Sequence, residues 1–266
     1  MRRLAYSWSE ALRTLAYASP GSCEQKMSSE APERKIDEPG SASAATPEDS
    51  DFARKLRGFG PVGIMAILVV LAGNVLFVPG SAVLALIWAR WSETPWREIG
   101  YVRPRSWAVS AAIGIAFGAG LKLLLKAVIM PLLGAPEINH AYHYLAGNRA
   151  AIPATLWLLI VGAGFGEETI FRGYMFERLG KLLGKSAAAK TAIVLITSTL
   201  FALAHYSTQG LPGVEQAAVT GLVFGTIFAV RGRIFMLMCA HAAFDLVAYA
   251  LIYWELETRV AHWVFR

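Results

Sequence analysis

The chain has 266 residues, 55% of them hydrophobic and only 17% charged, with a net charge of +6. So little charge excludes an ordinary soluble domain, where about a quarter of residues are charged. The positive excess lies wholly beyond residue 60, between apolar runs, a pattern that faces anionic headgroups and excludes nucleic acid as a partner.

Residues 1–18 carry Arg2, Arg3 and Arg13 among scattered Leu, Tyr and Trp. They lack the unbroken apolar stretch of a signal peptide and read as a tail or a short interfacial helix. Residues 19–52 are rich in Ser, Ala, Pro and Glu; they bury too little apolar area to repay ordering and are expected to be disordered. A basic collar of Arg54, Lys55 and Arg57 follows. Residues 1–60 therefore read as a polar, mostly disordered N-terminal tail, and 61–266 as a transmembrane domain. Cys23 and Cys239 lie in unlike settings, so no disulfide is expected.

Crossing the hydrocarbon takes roughly 20 apolar residues. Candidate spans fall at 62–88, 107–133, 151–176, 188–206, 212–230 and 233–254, the first ending near Pro79-Gly80 or running through it as a kinked helix. The expected fold is all-α, a polytopic transmembrane helix bundle of about six spans, with six to eight allowed. Short connections between the last four imply antiparallel neighbours. Basic connections at 89–106, 177–187 and 231–233 alternate with sparse ones at 134–150 and 207–211. The positive-inside rule places the basic set in the cytoplasm. With six spans both termini lie outside; the collar at 54–57 argues the other way.

Three polar groupings interrupt the apolar runs. The third span holds GAGFGEETIFRG, with Glu167, Glu168 and Arg172. Such groups at membrane depth are costly and mark function. Glu168 and Arg172, four apart, are set to pair. Glu167 is turned about 100° away in an α-helix and is free to face a cavity as a general base. The alternative is a structural polar cluster or a headgroup anchor. Phe201 and His205 share a face at the end of the fourth span. His241 and Asp245 share one in the sixth, where the Asp orients the imidazole, or both meet one substrate or ion, or the pair merely joins helices. Zinc held by His205, His241 and Asp245 would draw ligands from separate helices, which spacing does not indicate. Lys122 and Lys126 share a face of the second span; snorkelling is the default, with Lys122 deep enough to meet a peptide carboxylate or a lipid phosphate. His140, Tyr142, His143 and Tyr144 read as an interfacial aromatic patch.

EETIFRG, FALAH and HAAFD, in that order and each in an apolar helix, resemble the three motifs of the CAAX-processing and bacteriocin-processing family of intramembrane proteases, which includes the CAAX prenyl endopeptidase. The resemblance covers roughly residues 150–250, a family-type catalytic core at about 150–254. It implies an intramembrane endopeptidase in which Glu167 and His205 activate water and His241 and residue 245 stabilise the oxyanion. Glu168, Arg172 and Phe201 would support them. Most members carry Asn where this chain has Asp245. A carboxylate there must be protonated, orient His241 or bind a metal; no metal or other cofactor is the expectation, with zinc as the alternative. The implied partners are a membrane-anchored or lipidated peptide and the bilayer, in a multi-pass protein of a prokaryotic inner membrane. A non-cleaving immunity or regulatory protein and a small proton-coupled transporter are the competing functions.

Overall fold

The computed structural model describes residues 50–265. The disorder and the interfacial helix expected within 1–49 lie outside the described residues. The protein is an all-α, polytopic transmembrane bundle. Its helices are α1 (Asp51–Arg57), α2 (Pro61–Leu76), α3 (Val78–Trp91), α4 (Trp107–Leu132), α5 (Arg149–Leu183), α6 (Ala187–Ala204), α7 (Tyr206–Arg231), α8 (Phe235–Tyr253) and α9 (Glu257–Ala261). Among the described residues, α4 to α8 are each long and apolar enough to cross a membrane, and α1 with α2, bent by 58°, adds a sixth candidate.

The stretch expected as one span at 62–88 is instead a hairpin. Phe77 is extended (φ −160°, ψ 95°) between α2 and α3. Pro79 sits in the first turn of α3, where a missing N–H costs nothing. The two helices then pack side by side, the Ser81 hydroxyl donating to the Val70 carbonyl at 2.6 Å. Trp88 Nε1 donates to the Leu56 carbonyl at 3.2 Å, so α3 returns to the end where α2 began.

That geometry resolves the conflict over the collar. Arg178, on the last turns of α5, donates to the Arg57 carbonyl at 2.9 Å and lies over Trp88 at 4.5 Å. Lys181 pairs with Glu98 at 2.8 Å, and Ile234 N–H bonds the Gly100 carbonyl at 3.0 Å. Collar and all three basic connections thus gather at one end of the bundle. The α4–α5 connection and the C-terminal segment lie at the other, joined by Gly147 N–H to the Tyr253 carbonyl at 3.0 Å and by Lys126 to Glu257 at 3.1 Å. With a hairpin in place of a crossing, residues 50–57 share the side of the basic connections, unlike the six-span scheme with both termini outside.

Helix starts follow local chemistry. Ser106 and Ser186 accept from Val109 N–H and Ala189 N–H and cap α4 and α6. Helix α8 sits between α4 and α5 because small residues admit it. A Cβ on Gly118 would lie 1.9 Å from the Ala240 carbonyl, and one on Gly164 would lie 3.0 Å from that of Met238. These close approaches fall within the turn before His241 and fix its height in the bundle.

Candidate active site

Helix α5 is underwound and widened through the motif. Residues Leu158–Glu167 and Thr169–Tyr174 are π-helical, and Met175 N–H reaches back five residues to Ile170. Such widened turns are rare and recur at functional sites. Successive side chains there are turned by less than the α-helical 100°, so Glu167 and Glu168 diverge less than the sequence predicts.

Glu168 is fully buried, with Arg172 2% and His241 4% exposed at the side chain. One oxygen, Glu168 Oε1, accepts from His241 Nδ1 at 2.7 Å and stands 3.0 Å from Arg172 Nη1. The guanidinium is otherwise covered by aromatic faces, Phe201 at 4.6 Å and Phe224 at 5.6 Å. The His241 ring is thereby held through Nδ1, and its Nε2 turns toward Glu167 Oε2 at 3.6 Å and Asp245 Oδ2 at 3.7 Å. Both distances exceed a hydrogen bond, so the carboxylate that orients His241 is Glu168 and not Asp245.

His205 closes α6. Its Nδ1 lies 2.8 Å from the Phe201 carbonyl; a carbonyl only accepts, so Nδ1 carries a proton and Nε2 is the ring nitrogen left over. Phe201 touches His205 (4.7 Å), His241 (5.9 Å) and Phe171 (5.0 Å). Its ring is the common wall of the cluster.

These side chains meet at a cavity of about 420 Å³. Glu167, His205, His241, Asp245, Phe201 and Lys122 all line it, while Glu168 and Arg172 are sealed behind His241. Lys122 Nζ donates to Gln216 Oε1 at 2.6 Å and lies 4.9 Å from the Phe244 ring centre; it is buried within the bundle instead of snorkelling. Among the described residues no group of three or more His, Cys, Asp and Glu is arranged to hold a metal ion, and Nδ1 of both histidines is already engaged. The set His205, His241 and Asp245 left open for zinc is not assembled as one.

Residues 149–247 match the family model described as Type II CAAX prenyl endopeptidase Rce1-like. Over this stretch the chain is similar to that family. The match spans Glu167 to Asp245 and leaves out the hairpin and α4. No curated protein and no solved structure matches the chain.

The matched stretch does not enclose the cavity alone. Phe77 to Pro79, at the hairpin tip, and Tyr142 and Tyr144 of the α4–α5 connection complete the wall. Sequence reading missed the hairpin tip because it lay inside a supposed span, and took the tyrosines for interfacial anchors. Burial pushes the Tyr142 hydroxyl above the usual tyrosine range, so it remains a neutral donor at the cavity wall. Gln209 and Gln216 were missed as well; an amide on the first turns of a span carries no spacing signal.

Proposed function

We propose that this protein is an intramembrane endopeptidase that hydrolyses a peptide bond of a membrane-associated substrate. Glu167 takes a proton from water, with His205 Nε2 as the second acceptor beside it. The hydroxide adds to the carbonyl carbon, and the proton passes to the departing amide nitrogen. His241, held by Glu168, offers Nε2–H to the oxyanion, and a protonated Asp245 donates beside it. Arg172, 3.0 Å from Glu168, holds that carboxylate in place. Lys122 is assigned to an anionic group of the substrate, because it is a buried ammonium whose polar contact is a neutral amide. None of these steps needs a metal ion, and chelators should leave the activity unchanged.

The observation that carries this reading is the convergence of Glu167, His205 and His241 on one cavity inside a membrane bundle. It is tested by reconstituting the purified protein in proteoliposomes with detergent-extracted membrane proteins. Products that vanish with H205A while the variant stays folded support it; products that persist refute it, as does flux of ions without any product.

A further inference from the structure

The cavity is displaced toward one end of the bundle. Helix α4 lines it through Lys122, α5 between Thr155 and Glu167, and α6 through Phe201 and His205 at its last turns. Helix α7 contributes from its first half, and α8 from His241 onward to Ile252, away from its start at Phe235. Every one of these stretches runs from about mid-span toward the 134–150 end. Asn139, Tyr142 and Tyr144 of that connection form the roof. A smaller cavity of about 120 Å³ beneath the same connection shares Lys122, Gln209 and Gln216 with it. Among the described residues, none from 89–106, 177–187 or 231–234 lines either.

The opposite end holds the positive charge. Arg54, Lys55 and Arg57 join Arg97, Arg103, Arg178, Lys181, Arg231 and Arg233 there, against Arg149 and Arg259 at the cavity end. Basic residues close to span ends set orientation, and acidic ones count for little. The basic end is therefore cytoplasmic and the cavity opens to the other side.

We infer that the site takes peptide segments presented from the non-cytoplasmic face: stretches beside the membrane anchor of a protein already translocated, not the tail of a cytosolic one. The face of the opening stands on its own; the word substrate rests on the hydrolase reading. Water would enter from that face along the polar wall of Gln209, Gln216 and Tyr142.

The test uses the full chain with Cys23 and Cys239 replaced and single cysteines introduced as A141C in the roof, A248C in the cavity wall and K185C at the basic end. Right-side-out spheroplasts are treated with a membrane-impermeant cationic thiol reagent before and after permeabilisation. A141C and A248C should label in sealed cells and K185C only once they are permeabilised. Labelling of K185C in sealed cells, or protection of A141C or A248C there, overturns the inference. Repeating the labelling in an E167Q background separates the two readings: an unchanged pattern keeps the orientation even where no cleavage is ever found.

Discussion

At His241 three carboxylates surround one ring, and distance ranks them: Glu168 at 2.7 Å, Glu167 at 3.6 Å, Asp245 at 3.7 Å. Only the first is a hydrogen bond, and it also joins Arg172, so Glu168 links two groups that are themselves buried. E168Q leaves the Arg172 charge unpaired in an apolar wall and should cost about 3–5 kcal/mol of stability, read as a lower unfolding midpoint in detergent. D245N, by contrast, should keep substantial activity, since Asp245 makes no hydrogen bond to the ring and an amide donates to an oxyanion at least as well; an inactive but folded D245N would refute that role. The Glu168–Arg172 pair was legible from helical spacing. The Glu168–His241 bond joins residues 73 apart, and no local pattern encodes which of two adjacent glutamates will face another helix, least of all where π-turns alter the angle between them.

At the level of helices, small residues and one tyrosine decide how the site is held. Gly118 lets α4 rest directly on the Ala240 carbonyl, next to His241. G118A should lower stability by about 1–3 kcal/mol through overpacking and slow any cleavage by moving His241; a variant as stable and active as the parent would show that the approach is dispensable. Tyr101, on the α3–α4 connection, bonds the Thr169 hydroxyl at 2.7 Å directly beside Glu168. Burial pushes its hydroxyl up to about 12 from the ordinary 10.0. The fold therefore favours the neutral phenol. That contribution is whole below pH 10 and is lost as pH rises from 10 toward 12. Y101F should unfold at a lower temperature at neutral pH yet lose less on alkaline titration than the parent, as thermal melts across that range would show. The long apolar helices were readable from hydropathy, because length and composition decide whether a segment crosses. The hairpin was not: its two helices run on with a single extended residue between them, and hydropathy cannot tell a kink from a reversal.

Across the whole molecule, charge and chemistry are separated. Basic side chains tie the hairpin and the α3–α4 connection to α5 at one end, and the reactive groups open toward the other. Arg178 is the principal tie, bonding Arg57 and covering Trp88 and Phe59. R178A should loosen α1, and trypsin should cut at Arg54 and Lys55 faster than in the parent while α4 to α8 stay intact. The loop charges showed that the basic connections share a side. The place of the collar among them became clear only once the hairpin brought the chain back. The most direct measurement compares new peptide termini among membrane proteins of cells producing the parent chain or E167Q at equal level. A catalytic Glu167 predicts a defined set of cleavage sites near membrane anchors that falls by about 10²-fold or more with E167Q. The same termini at the same abundance in both would contradict it.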